Sequence, residues 1–450
     1  MRADHDLVIE NQWTSWQRFV DGRRVDAAHA QVALLTAGSS IKKRLGLRAD
    51  PFRFRGSGTG IEFQVFGVAG AVSLGDVSLE VVPKFVGAAK RLADWDSSTL
   101  FLLEALAGKH VISLLAERQQ WKSHRVLDLI AYAFADAAER GLRDQAIHVY
   151  KQREESTVVL KGRLNISRQL RNVVRAPHLL ECDVDQLDTE NAFNDVLKWA
   201  AIVLESASRE RDLKKRLQIA VECIPGHPER SVAQRHMRLM PPPQFQAWKD
   251  ALELARLLAN GMTLSKSGGA GTGYSLLFNM ERAFERFVEV ALDHCTREGG
   301  GALTSSRQES LVYGQPFNLG GKALRCRPDN VLRRAGTPIM VVDAKYKLLD
   351  DQLAPNAGEQ PSGAPVSQDV YELLGGMLAH GCDAGLLIYP SNTAGGDTAV
   401  RTWRVNVYGK SVRVGALAVD LLSLRSRAEV ARLLSKVSSQ IAGFETVLPA

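Results

Sequence analysis

The spacing of apolar residues changes twice along this 450-residue chain, and these changes limit the folds that it can adopt. Before about Ser97, short apolar runs alternate with glycine turns, and residues 61–66 and 77–82 repeat with the period of two typical of half-buried strands. From there to about residue 264 the spacing is helical, and after residue 274 helical and strand patterns alternate. The sequence therefore predicts an α+β protein with several domains.

Three domains follow from these changes. We expect an N-terminal β-rich module over 1–97, a mostly helical middle domain over 98–264 and a C-terminal α/β domain with a mixed sheet over 274–450. The segment 265–275 is rich in glycine and serine, which predicts a flexible linker. Residues 353–365, rich in proline and glycine, predict a surface loop.

The middle region predicts several distinct elements. Apolar residues nearly all round predict buried helices over 99–118 and 126–142, and Gly141 is a candidate C-cap for the second. Residues 148–165 predict a hairpin, and long helical periodicity follows over 191–223.

Composition argues against several classes of protein. The net charge of +7 permits a polyanionic partner without requiring one. The five cysteines are an odd number without C-x-x-C spacing, so we expect buried reduced thiols rather than disulfides or a zinc ribbon. We find neither an apolar signal region nor a run near the ~20 apolar residues that cross a bilayer, so the cytoplasm is the expected compartment and no membrane contact is expected. The glycine-rich segments 55–60 and 267–273 lack the P-loop pattern, and we expect this chain to bind no nucleotide.

Three charged residues form the main candidate site. Asp329 lies at the end of one predicted strand, and Asp343 and Lys345 lie on the next. Residues two apart on a strand point to the same face, so Asp343 and Lys345 should project together. The intervening Arg-Arg-Ala-Gly turn can form a hairpin that brings Asp329 beside Asp343. These letters are common by chance, but the apolar run before Asp343 places it at the end of a core strand, where α/β sites cluster.

These residue types suit metal-dependent phosphodiester hydrolysis. Mg²⁺, or Mn²⁺ in its place, prefers oxygen ligands and is usually held by one or two carboxylates. Asp329 and Asp343 would supply those oxygens, and the carbonyl of Ala344 is a candidate third ligand. Lys345 would lie near the attacking water, where it would lower the pKa of that water or stabilise the transition state.

Three further residues are weaker candidates. Glu285, on an amphipathic helix, is a candidate metal ligand or an exposed helix carboxylate. Gln368 and Tyr371 lie one turn apart on a later helix, and each is a candidate for contacting phosphate or orienting water. Tyr371 could alternatively pack against the sheet.

Several segments occur in an order that resembles one known family. RPD, VVDAKYK, QDVYELLGGMLAHG and LLIYP resemble the PD-(D/E)xK nuclease domain of the McrC family, the nuclease subunits of McrBC-type modification-dependent restriction systems. Four upstream segments agree with this resemblance: FGVAGAVSLGDVSLEVVPKF, LKGRLNISRQL, TENAFNDVLKWA and FNMERAFERFV. The resemblance covers about residues 60 to 400.

The resemblance implies a restriction-endonuclease-like fold for the C-terminal domain, with Asp329, Asp343 and Lys345 carrying cleavage of DNA. It also implies that the N-terminal and helical regions dock on an AAA+ GTPase of the McrB type, insert into its ring and stimulate GTP hydrolysis. Recognition of modified cytosine would then reside in that partner. The missing P-loop fits this division of labour.

Two other functions stay open at this point. A non-catalytic activator of an AAA+ motor would retain only the nuclease fold, although the intact set of two acids and a lysine argues against it. A stand-alone repair nuclease would need intrinsic DNA binding, and neither a strong basic cluster nor a recognised DNA-binding motif is present in the sequence.

Overall fold

The computed structural model describes residues 7–20, 27–58, 60–74, 77–86, 98–99, 102, 126–208, 210–227, 241–266, 272–298, 303–316, 322–349, 365–391, 400–407, 409–424 and 427–446. The chain divides into two compact units. Unit 1 comprises Met1–Val126 and Gly261–Ala450, and unit 2 comprises Leu127–Asn260. The division into three domains at 1–97, 98–264 and 274–450 stays a prediction.

The first described elements of unit 1 are two helices and six strands, and the strands belong to two sheets. Its first elements are β1 (Leu7–Ile9), β2 (Thr14–Ser15), α1 (Gln17–Val20), α2 (Ala27–Leu45), β3 (Phe52–Ser57), β4 (Gly60–Val65), β5 (Val68–Leu74) and β6 (Val77–Val82). The strands predicted at 61–66 and 77–82 are thus confirmed as β4 and β6. The order β2-β4-β3 forms one sheet, and the buried rings of Trp16, Phe19 and Phe63 pack in the core beside it.

Unit 2 contains a sheet as well as helices. Its elements are α3 (Val126–Asp144), β7 (Val149–Thr157), β8 (Arg163–Leu164), α4 (Ile166–Asn172), β9 (Leu180–Asp188), α5 (Ala192–Ala207), α6 (Arg211–Cys223) and α7 (Lys249–Gly261). The predicted hairpin over 148–165 is wrong, because β7 and β8 both pair antiparallel with β9, which lies between them. Gly162, directly before β8, allows the chain to approach β9 closely. Its φ of 65° is left-handed, and an added Cβ would lie 2.5 Å from the carbonyl oxygen of Asp183.

The prediction for Gly141 is also wrong. α3 continues past it to Asp144, and an added Cβ at Gly141 would lie 2.3 Å from the indole of Trp248. The Trp248 indole N–H donates to the carbonyl of Gln145 at 2.8 Å, which fixes the ring at that place. Gly141 is therefore a packing position inside the helix rather than its cap.

The segment predicted as a flexible linker is partly a hairpin of unit 1. β10 (Met262–Lys266) and β11 (Thr272–Asn279) pair antiparallel, with Ser265 opposite Gly273, and residues 267–271 lie outside the described part. β11 also pairs with β5, which completes a five-stranded sheet of order β1-β6-β5-β11-β10. Gly70 allows the close approach, since a Cβ there would lie 2.0 Å from the carbonyl oxygen of Leu276.

The rest of unit 1 is an α/β layer around a six-stranded sheet. Its elements are α8 (Met280–Glu298), β12 (Leu303–Arg307), β13 (Leu311–Gly314), β14 (Leu324–Cys326), β15 (Asn330–Arg334), β16 (Thr337–Ala344), α9 (Ser367–His380), β17 (Ala384–Ser391), β18 (Arg401–Val407), β19 (Lys410–Asp420) and α10 (Arg427–Thr446). The sheet has the order β12-β15-β16-β17-β19-β18, with β16, β17 and β19 parallel and the other pairs antiparallel. This is the mixed sheet that the sequence predicts.

Two expectations from composition can be compared with the structure. All five cysteines are free thiols, but Cys223 is exposed and Cys326 is half-buried, so the expectation of burial fails at these two positions. Both lie at the end of an element, where a small apolar side chain is not enclosed on every side. Within the described ranges, no helix combines the length and hydropathy that crossing a membrane requires. The predicted helix over 99–118 and the loop over 353–365 lie outside the described residues, apart from positions 99, 102 and 365.

Candidate active site

A tight hairpin brings the two aspartates together. β15 and β16 are joined at Ala335 and Gly336, whose φ angles of 48° and 82° are both positive, as a two-residue hairpin turn requires. Asn330 pairs with Val342, so Asp329 lies directly before β15 and opposite Asp343. The predicted juxtaposition is present, although Asp329 lies directly before a strand rather than at the end of one, and Lys345 lies directly after β16 rather than on it.

The Asp329 carboxyl group lies near that of Asp343, which acts on its pKa. Asp329 also accepts a hydrogen bond at Oδ2 from the amide of Ala344, at 2.9 Å. Burial, and then the charge of Asp343, raise the pKa of Asp329 to about 8. Two carboxylates this close repel each other unless a proton or a cation lies between them.

Lys345 completes the predicted group. Its ammonium lies 2.7 Å from Oδ2 of Asp343 and 2.6 Å from Oε2 of Glu372 on α9. Burial alone would lower the pKa of Lys345, but these two carboxylates outweigh burial and hold that pKa above its ordinary value. Lys345 therefore keeps its positive charge at neutral pH and is unsuited to act as a general base.

All of the other predicted site residues line the same cleft of about 440 Å³, between α8, the β15–β16 hairpin and α9. Burial, and then Glu281, raise the pKa of Glu285 to about 7. Gln368 donates a hydrogen bond to Glu372 at 3.2 Å. Tyr371 is 70% exposed, so the alternative that it packs against the sheet is wrong.

Sequence reasoning missed Glu372, Asp369 and Lys347, which also line this cleft. Glu372 holds Lys345, and buried Asp369 pairs with Lys347 at 2.6 Å and accepts a hydrogen bond from Tyr389 at 3.1 Å. Glu372 was detectable in principle, because it lies four residues after Gln368 and thus on the same helix face. The partners of Asp369 depend on how α9 packs on β17, which no local pattern reveals.

The donor set limits how a metal could be held. Among the described residues, no three His, Cys, Asp or Glu side chains are grouped closely enough to bind a metal ion together. The cluster of Asp329 and Asp343 offers two carboxylates beside the backbone of Ala344. This set fits Mg²⁺, which takes one or two carboxylates and keeps several waters, better than it fits Zn²⁺, which needs three or four protein ligands.

A family model shows which protein family the chain belongs to. A family model described as McrBC 5-methylcytosine restriction system component matches residues 63–390. The chain belongs to this family. No curated protein matches the chain.

Two solved structures are similar to this chain. A chain of the refined half-complex from a tetradecameric assembly of Thermococcus gammatolerans McrB AAA+ hexamers with bound McrC matches with a TM-score of 0.65 and 16% identity, covering 97% of this chain and 99% of that one. A chain of the cryo-EM structure of the Thermococcus gammatolerans McrBC complex matches with a TM-score of 0.47 and 17% identity, covering 64% of this chain and 87% of that one. The first match shows a shared fold over nearly the whole chain.

Proposed function

We propose that the chain is the Mg²⁺-dependent DNA endonuclease subunit of its McrBC-type restriction system. The observation that carries this proposal is the convergence of Asp329, Asp343 and Lys345 in one cleft, with the Lys345 ammonium 2.7 Å from Oδ2 of Asp343 and the Asp329 carboxyl group buried near it. A purely structural ion pair would not need a second buried carboxylate pressed against the first, since that arrangement costs free energy without a cation. Like charges that are buried together lower the stability of the fold, and sites of this kind are typical of catalysis.

Each residue has a part in phosphodiester cleavage. A bound Mg²⁺ would activate water and offset charge on the phosphoryl oxygens. Asp329 and Asp343 would hold and orient that cation, with the Ala344 carbonyl as a candidate third ligand. Lys345 presents a fixed positive charge to the phosphate, and Glu372 keeps its ammonium beside Asp343. Gln368 and Tyr371 are candidates for contacting the phosphate or orienting water. Glu285 lines the same cleft, but it is not grouped with Asp329 and Asp343 closely enough to serve as a third carboxylate ligand.

We further propose that the chain works with an AAA+ GTPase of the McrB type and stimulates its GTP hydrolysis. The similar Thermococcus gammatolerans chain was solved with McrB AAA+ hexamers. Unit 2 also has a surface suited to a protein partner. Val158, Val159 and Leu160, directly after β7, are 71%, 65% and 57% exposed. Three consecutive exposed apolar residues are unfavourable in a chain that functions alone.

This apolar run gives a test of partner binding. Val159→Glu with Leu160→Glu should weaken stimulation of the partner's GTPase by about tenfold or more, because the loss of two apolar anchors and the burial of charge each cost about 1–3 kcal/mol. Ile219→Glu is the matched control, since Ile219 is an exposed apolar residue on α6 of the same unit. Equal stimulation by the double variant and the control would contradict the docking surface.

The proposed function is tested by reconstitution. The purified chain, the AAA+ partner, GTP and Mg²⁺ are combined with plasmid DNA that carries or lacks 5-methylcytosine, and both cleavage and GTP hydrolysis are measured. We expect cleavage only when the chain, the AAA+ partner, GTP and Mg²⁺ are all present. GTPase stimulation without cleavage under Mg²⁺ or Mn²⁺ would instead support a non-catalytic activator. Cleavage without partner and nucleotide would indicate a stand-alone nuclease.

A further inference from the structure

Tyr346 follows the candidate catalytic lysine directly and is almost fully buried. Its ring lies 6.0 Å from that of Phe284. The amide of Lys347 donates to the carbonyl of Lys345 at 2.8 Å, so the chain turns sharply at Tyr346. The position of Lys345 therefore depends on what holds this turn.

The hydroxyl of Tyr346 is held by a carboxylate from the other end of the chain. It donates to Oε2 of Glu10 at 2.7 Å, and Glu10 is only 1% exposed. The same carboxylate accepts hydrogen bonds from the amides of Gly67 and Lys84, both at 3.1 Å. Glu10 thus ties the end of β1, the β4–β5 turn and the residue after Pro83 to the turn at Tyr346.

The backbone of Tyr346 is held by Lys84. The Lys84 ammonium donates to the carbonyl of Tyr346 at 2.6 Å and lies 4.0 Å from the centre of its ring. A cation over an aromatic face and a charged hydrogen bond act together on the same residue. The Pro-Lys dipeptide that ends β6 thereby contacts the main chain one residue beyond Lys345.

We propose that Glu10 and Lys84 are positioning residues of the candidate nuclease site, which act by clamping Tyr346 and so fixing the direction of Lys345. This inference rests on the proposed function. The clamp connects the N-terminal five-stranded sheet, through β1 and β6, to the end of β16. A change in the N-terminal sheet on partner binding would therefore be transmitted to Lys345 through three side chains.

The test uses Lys84→Met, which keeps an apolar stem and removes the ammonium. We expect kcat for Mg²⁺-dependent cleavage in the reconstituted complex to fall by about tenfold or more with KM for DNA unchanged, since a displacement of about 1 Å at a reacting group can cost 10²-fold. Lys84→Arg, which retains a cationic donor, should recover part of the loss. Lys42→Met is the matched control, since Lys42 is a half-exposed lysine of α2 that pairs with Asp50.

A second measurement does not depend on cleavage. Amide hydrogen exchange over 345–349 should be about tenfold faster or more in Lys84→Met than in the wild-type chain, while exchange in β17 stays unchanged. Because Tyr346→Phe alone would remove one hydrogen bond from the buried Glu10 carboxylate, it is combined with Glu10→Gln, and the double variant should show the same faster exchange.

The outcomes separate the clamp from the proposed function. If the wild-type complex does not cleave, the proposed function fails, whereas faster exchange in Lys84→Met still supports the clamp. If the wild-type complex cleaves and Lys84→Met matches it in kcat and in exchange over 345–349, the positioning role is overturned. A rise in KM with unchanged kcat would also overturn it, because it would make Lys84 a DNA-binding residue.

Discussion

Asp343→Asn is expected to reduce Mg²⁺-dependent DNA cleavage by about 10³-fold, because a bound metal contributes several kcal/mol to such reactions and each ~1.4 kcal/mol changes the rate tenfold. The substitution removes the charge of one of only two carboxylates in the cluster. It also removes the ion pair of 2.7 Å that orients Lys345. Single-turnover cleavage in the reconstituted complex measures the effect.

The control for this variant is Asp383→Asn. Asp383 is an exposed aspartate of unit 1 that pairs with Lys410 on the surface, where ion pairs contribute about 0–1 kcal/mol. We expect it to cleave like the wild type, and we expect Asp343→Asn to stimulate the partner's GTPase normally. Cleavage at the wild-type rate by Asp343→Asn would show that the active site lies elsewhere.

Lys345→Met is expected to reduce cleavage by about 10²-fold, the usual cost of losing one preorganised group that stabilises developing charge. The physical reason differs from that for Asp343. The Asp343 and Glu372 carboxylates keep Lys345 charged at neutral pH, so its loss removes a cation that faces the phosphate and does not remove a base. Methionine retains most of the side-chain length, so the cleft keeps its shape.

Lys345→Met and Asp343→Asn should differ in their affinity for a divalent metal ion. Without Lys345, Asp343 loses its competing cation, so Mn²⁺ binding measured by calorimetry should be retained or strengthened. In Asp343→Asn it should be weakened. Lys410→Met removes the cation of the surface ion pair with Asp383, and it should change neither the cleavage rate nor the affinity for Mn²⁺. If Lys345→Met cleaves normally, or if it loses Mn²⁺ binding, the role assigned to Lys345 is wrong.

The central group was predictable because its information is local. Strand periodicity places Asp343 and Lys345 on one face, and Ala335-Gly336 supplies the turn of the hairpin. The pairing of Asp329 with Asp343 also needs the one-residue register shift between Leu332 and Arg333, which no sequence pattern indicated. The four-residue spacing between Gln368 and Glu372 likewise places Glu372 on the cleft-facing side of its helix. These features depend on neighbours within a few tens of residues, where sequence patterns are most informative.

The sequence-based predictions failed where contacts between distant segments of the chain determine the structure. Glu10 and Tyr346 are 336 positions apart, and no periodicity signals that one buries its carboxylate against the other. The glycine-rich segment at 265–275 has the composition of a linker, yet β11 is fixed by pairing with β5. Gly141 has the residue type of a helix cap, but the ring of Trp248 occupies the space where a side chain would lie.

The most direct test of this account is a crystal structure of the chain grown with Mn²⁺, in which anomalous scattering locates the metal. We expect a single strong peak between Asp329 and Asp343, within direct coordination distance of both carboxylates, and no peak there in Asp343→Asn. A Mn²⁺ ion bound elsewhere in the cleft, or no ion between these two residues, would contradict it.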